Sequence, residues 1–122
     1  MSHSTVPELL IDLIDHTEDI VSNIDRFHAA QEDLQPTIRS AILWHLIVIG
    51  EISLRLGEPF HTSHPEIPWR RIIDQRNIVA HGYDGIDWDL LFALRKQDLP
   101  ELIENAKNIL KSYPPPPPEQ TP

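Results

Sequence analysis

Cysteine is absent from the 122 residues, which removes disulfide frameworks, thiolate zinc sites and cysteine nucleophiles together. Positive charge is scarce: ten Lys and Arg stand against 19 Asp and Glu, a formal net charge of −9. Proteins that coat nucleic acid without regard to sequence neutralise phosphates with Lys and Arg. That class is excluded, and any contact with a polyanion has to be local. Glycine occurs only at Gly50, Gly57, Gly82 and Gly85, and neither a phosphate-cradling glycine loop nor a Ser-His-Asp pattern is visible. The longest near-apolar run, residues 41–50, contains His45 and falls short of the ~20 residues of a membrane span. The opening MSHSTVPELL lacks the basic region that leads a secretory signal into its apolar stretch. The expectation is a soluble, cytoplasmic domain with one core and no membrane contact.

Apolar residues recur every three or four positions along stretches free of breakers, which is the helical period. The fold class is therefore all-α, an up-and-down bundle of about four to five helices over residues 1–112, followed by a disordered Pro-rich tail over residues 113–122. Thr5 and Glu8 have capping-box spacing with Pro7 in the first turn, so the first helix starts there. Its stripe is Leu10, Leu13, Thr17, Ile20, Ile24 and Phe27, backed by an acidic face. Residues 1–33 hold one base (Arg26) against eight acids, which reads as solvated surface.

A second helix is expected from a cap at Asp33 or Gln35 to Leu56, stopped by Gly57 and Pro59. Its middle is apolar nearly all round, so it is buried on more than one side, by its own domain and by a second protomer. Residues 57–68 read as a loop, residues 68–80 as a third helix, and a short helix begins at Trp88. Asp98 and Glu101 repeat the capping-box spacing before a last helix with Leu99, Leu102, Ile103, Ala106, Ile109 and Leu110 on its apolar face. Pro114 to Pro118 are consecutive and read as an exposed polyproline II segment.

The third helix is the least ordinary. Trp69, Ile72, Ile73 and Ala80 fall on one stripe, with Arg76 near its centre. A guanidinium there costs several kcal/mol to desolvate, as an order of magnitude, unless it is paired or faces a polar cleft. His81, followed by Gly82 and Tyr83, comes five residues later. An imidazole that titrates near neutrality beside a fixed cation is a candidate acid–base pair. The alternative is structural: Arg76 pairs with an acid such as Glu51, His81 faces the carbonyl end of its helix, and Tyr83 packs with a wet hydroxyl. His45 reads as a core or interface histidine. His61, His64 and Glu66 have a spacing that can ligate metal, but no second ligand pair of similar quality accompanies them. No metal and no cofactor are expected.

The segments Ile67-Pro-Trp-Arg70, Arg76-Asn77-Ile-Val-Ala-His81-Gly-Tyr83, Gly85-Ile86-Asp87 and Asp98-Leu-Pro-Glu-Leu102, together with Gly50-Glu51, resemble the HepT-like branch of the HEPN superfamily over about residues 8–112. Ile52 and Asp84 depart from that family's usual pattern. The resemblance implies a homodimeric, metal-independent endoribonuclease, the toxin of a type VII-like toxin–antitoxin pair whose antitoxin is a minimal nucleotidyltransferase. It further implies control by AMPylation of the motif tyrosine, here Tyr83.

RNA cleavage without a metal uses the neighbouring 2′-OH as nucleophile, and the residue types suit that reaction. His81 would move protons near pH 7, and Arg76 would offer a planar fork to the phosphorane. Asn77 and Glu51 would support them: Asn77 orients the site or is an exposed helix residue, and Glu51 partners Arg76 or is a surface carboxylate. Two motifs meeting across a twofold axis would concentrate positive charge. Residues 34–83 carry five Arg against four acids, a balance of +1 in an otherwise acidic chain. The competing function is a non-catalytic helical subunit that assists a nucleotidyltransferase in trans, because an acidic surface suits a basic partner.

Overall fold

A computed structural model describes residues 4–115, apart from the side chain of Tyr83. The expected Pro-rich tail lies largely outside the described residues. Within them the chain forms six α-helices: α1 (Val6–Ala29), α2 (Gln35–Leu56), α3 (Glu58–Ser63), α4 (Trp69–Gly82), α5 (Trp88–Ala93) and α6 (Asp98–Leu110), with a 3-10 turn, Tyr83–Gly85, between α4 and α5. No strand occurs among the described residues, and the all-α expectation holds.

α1 begins as its first residues dictate. The Thr5 side chain accepts from the Glu8 N–H, the Glu8 carboxylate accepts from the Thr5 N–H at 2.8 Å, and Pro7 sits in the first turn. All six residues of its expected stripe, Leu10 to Phe27, are buried. Phe27 approaches Arg39 and His16 meets His45, so residue numbers fall on one helix as they rise on the other, and α1 and α2 are antiparallel. α4 returns antiparallel to α2, and Lys107 pairs with Glu18 at 3.5 Å where α6 packs along α1. The result is an up-and-down bundle with α2 between α1 and α4, and α6 on the far side of α1.

α2 is by length and composition able to cross a membrane. Here it is the core helix, burying Ile38, Ile42, Leu46, Ile49 and Ile52. Its coverage is incomplete. Trp44 is 57% exposed and Leu54 46%, while Ile47 and Val48 are half-buried. With ~100° per residue these four positions share one face with Glu51.

Several boundaries differ from the sequence reading. Residues 57–68 are not all loop, because Pro59 in the first turn of α3 lacks only an N–H that a helix start leaves unpaired. α3 is then tied down by His61, which donates from Nε2 to the Ser53 carbonyl at 2.7 Å and stacks on Trp69 with centroids 4.8 Å apart. The His61–His64–Glu66 spacing is thus absorbed by packing. Neither Asp33 nor Gln35 caps α2, whose N-cap is Leu34 with no side-chain bond. Asp98 is the first residue of α6 instead of its cap; the cap is Gln97, whose amide donates to Glu101 at 2.7 Å. On α4 the buried stripe is Trp69, Ile72 and Val79, and Ala80 is exposed. Val79 lies seven residues after Ile72, two turns on at 3.6 residues per turn, which a reading that started from Ile73 misplaced by one.

Candidate active site

α4 crosses α2 at Gly50. A Cβ on Gly50 would lie 2.2 Å from the Cβ of Arg76 and 2.5 Å from its Cγ, closer than van der Waals contact permits. The aliphatic stem of Arg76 therefore occupies the space a side chain would fill. Its guanidinium emerges beside the next residue of α2, Glu51. Nη2 donates to the Glu51 carboxylate, and Nη1 donates to the Asn77 side-chain oxygen at 2.9 Å. Nε is buried and finds no acceptor among the described residues. Of the five donors of a guanidinium, one on each terminal nitrogen has no partner among the described residues. The Arg76 side chain is 27% exposed and that of Glu51 44%, so the fork is held at a surface that remains accessible.

The structure thus brings together Arg76, Glu51 and Asn77. Glu51 and Asn77 each bond Arg76, and the Arg76–Glu51 pair is the contact that the structural alternative also expects. His81 is not brought into contact with Arg76. Five residues of helix turn it about 140° away, and it stands exposed near the C-terminal end of α4. Asn77 is the link between them, since positions four apart are neighbours on a helix surface. The guanidinium reaches round to Asn77, and His81 is one turn further along the same face. Tyr83 opens the 3-10 turn that follows; its side chain lies outside the described residues.

Positive charge is concentrated here, because α4 carries Arg70, Arg71 and Arg76 against Asp74 alone. On its other side a shallow groove is lined by Arg71, Gln75, Ile78, Ile86 and Leu90. Ile78 and Leu90 are 49% and 69% exposed, so apolar surface flanks His81 as it flanks Glu51. Gly82 is the last residue of α4, not a hinge beyond it. A Cβ there would meet nothing within 4 Å. The role of Gly50 as the seat of Arg76 was missed in the sequence, where the Gly50-Glu51 pair shows as a pattern without its spatial partner. Among the histidines, the pairing of His16 with His45 was missed as well, because it depends on the α1–α2 register.

The Ribonuclease HepT-like family matches residues 10–109. An inferred RNase of Methanocaldococcus jannaschii is 30% identical over 109 residues, 89% of this chain and all of that protein. An inferred ribonuclease HepT of Thermococcus cleftensis is 35% identical over 71 residues, 58% of this chain and 64% of its own. An inferred RNase of Caldanaerobacter subterraneus is 29% identical over 76 residues, 62% of this chain and 68% of its own. No solved structure matches significantly.

The two helical glycines predict opposite outcomes in chemical denaturation. Gly50→Ala should destabilise the protein by about 1–3 kcal/mol through overpacking against Arg76. Gly82→Ala should be neutral or stabilise by up to about 1 kcal/mol by restricting the unfolded chain. A neutral Gly50→Ala would mean that α4 does not sit as described.

Proposed function

The chain belongs to the Ribonuclease HepT-like family and is an endoribonuclease of the HEPN type, and on that premise we propose that it cleaves RNA without a metal ion at a site shared by two copies of the chain. The observation that carries the reading is the held guanidinium: Arg76, seated on Gly50 and fixed by Glu51 and Asn77, has two donors without a partner among the described residues, at an accessible surface. A merely structural ion pair would not need α4 to approach so closely.

In the proposed reaction the 2′-oxygen attacks the adjacent phosphorus, and its proton passes to one His81 imidazole. The bond from phosphorus to the 5′-oxygen breaks, and the same imidazole returns the proton it has taken to that departing oxygen. The products are a 2′,3′-cyclic phosphate and a 5′-OH. Arg76 donates to the phosphorane oxygens, where charge peaks, so its bonds strengthen in the transition state. Asn77 keeps the fork oriented, and Glu51 offsets the cost of half-burying it.

The shared site is supported by two features. Arg76 and His81 leave α4 about 140° apart and make no direct hydrogen bond among the described residues, so the motif of a second copy could complete the constellation. The face of α2 that carries Glu51 also exposes Trp44 and Leu54, and closing a twofold interface over it would bury that surface. The same premise supports a toxin of the cytoplasm held in check by a cognate nucleotidyltransferase antitoxin, with Tyr83 as the acceptor of AMP. An adenylyl group there would bring a phosphate to compete with RNA for the Arg76 fork.

Arg76→Ala and His81→Ala should each lower cleavage of an RNA substrate by about 100-fold or more without loss of helical circular dichroism, and EDTA should leave the wild-type rate unchanged. Full activity in His81→Ala, or dependence on a divalent ion, would overturn the mechanism and favour a non-catalytic binding subunit.

Incubation with a cognate minimal nucleotidyltransferase and ATP should add one AMP mass to the wild-type protein and silence it. Tyr83→Phe should keep cleaving RNA and gain no such mass. Equal modification and silencing of the variant would remove Tyr83 from the control of the enzyme.

A further inference from the structure

A second cluster of titratable side chains lies on the α1–α2 seam, formed by residues the cleavage site does not use. His16 and Asp19 are three residues apart on α1 and therefore face the same way. His45 meets them from the middle of α2. The Nδ1 atoms of the two histidines are 2.8 Å apart, and the Asp19 carboxylate is 4.0 Å from His45 Nε2. One ligand atom from each of the three residues lies within 4.8 Å of those from the other two. Trp44 closes one side, with its ring edge-on to His16 at 5.4 Å and to His45 at 5.0 Å. Solvent reaches the other: the His45 side chain is 12% exposed and that of Asp19 58%.

Two imidazole nitrogens at hydrogen-bond distance cannot both carry a proton, so one must accept. Burial, then the neighbouring His16, lowers the pKa of His45 from its ordinary value, against the opposing pull of Asp19. His45 turns Nδ1 to His16 and Nε2 to Asp19, and a neutral imidazole, with one nitrogen offering its lone pair, is the form in which histidine binds metal. We propose that His16, Asp19 and His45 bind one divalent transition-metal ion of the zinc class, through two imidazole nitrogens and one carboxylate oxygen, with a fourth position open to water.

The donor set selects the class. Two imidazoles favour zinc, cobalt, nickel or copper over magnesium and calcium, which take oxygen ligands. Metal–ligand distances of about 2.0–2.2 Å in a tetrahedron put donor atoms roughly 3.3 Å apart. The two rings must part by about half an ångström to reach that spacing, and the exposed Asp19 side chain is free to swing in. The ion would replace the proton shared between the rings and pin α1 to α2. None of its three ligands is Arg76, Asn77 or His81, so the cleavage step does not use them. His45 stood out in the sequence only as a polar residue on an apolar helix, and Asp19 as one acid on a solvated face.

The test is titration of the metal-stripped protein with Co²⁺, read by its visible d–d absorption, followed by displacement with Zn²⁺. One Co²⁺ per chain should bind with a Kd in the micromolar range or below. Tm should rise by about 10 °C at a hundredfold excess of metal over Kd. His16→Gln and His45→Gln should weaken binding at least tenfold, whereas His28→Gln, an exposed histidine of the same helix, should bind as wild type does. Asp19→Asn, at an exposed position, should also weaken binding and keeps the test valid if a histidine variant fails to fold. Absence of the absorption band below millimolar Co²⁺, or wild-type affinity in the Asp19→Asn and histidine variants, would overturn the proposal. RNA cleavage is a separate readout, so failure of the nuclease mechanism leaves the titration unaffected.

Discussion

The approach of α4 to α2 at Gly50 is the constraint on which the rest of the site depends. With 2.2 Å between a hypothetical Gly50 Cβ and the Arg76 Cβ, any side chain at position 50 forces the helices apart. Two things are needed at once for a guanidinium to occupy a helix seam: room for its aliphatic stem, and a carboxylate for the head it partly desolvates. Consecutive residues of α2 supply them, the first as an absence of side chain and the second as Glu51. Asn77 then takes the other terminal nitrogen, so the plane of the fork is fixed by two bonds from two helices.

The charge distribution follows from the same arrangement. An acidic chain repels RNA over most of its surface, and α1 carries much of that charge. α4 carries three of the ten Lys and Arg against one acid. A second copy packed over the uncovered face of α2 would double that concentration and bury Trp44 and Leu54, which a lone domain leaves in water. Local attraction within general repulsion favours a short, accessible phosphate over a long duplex, since binding along a duplex depends on many phosphate contacts at once.

What the sequence made legible was periodic or local. The α1 stripe and its Thr5–Glu8 cap were read residue by residue, because helical spacing and capping are interactions within one turn. The Arg76-x4-His81 spacing and the Gly50-Glu51 pair were visible as patterns, but why Gly50 is glycine appears only when α4 lies across it. α3 was hidden by prolines that read as breakers, although Pro59 occupies the one helical turn that tolerates it. Asp98 has capping-box spacing to Glu101 yet is the first helical residue, and Gln97 holds the cap position without a side-chain cap bond. The His16–His45 contact joins residues 29 apart, and no local pattern marks such a pair.

The central claim is that Arg76 and His81 serve one reaction from two chains, and mixed dimers test it most directly. Arg76→Ala and His81→Ala proteins, each inactive alone, are mixed under conditions that exchange subunits, so that about half of the dimers at equal mixing carry one of each, and RNA cleavage is measured against the unmixed parents. The account predicts that activity returns on mixing, because each mixed dimer holds one intact guanidinium and one intact imidazole in a single cleft. Activity that stays at the level of the parents, with subunit exchange verified by mass spectrometry, would contradict it.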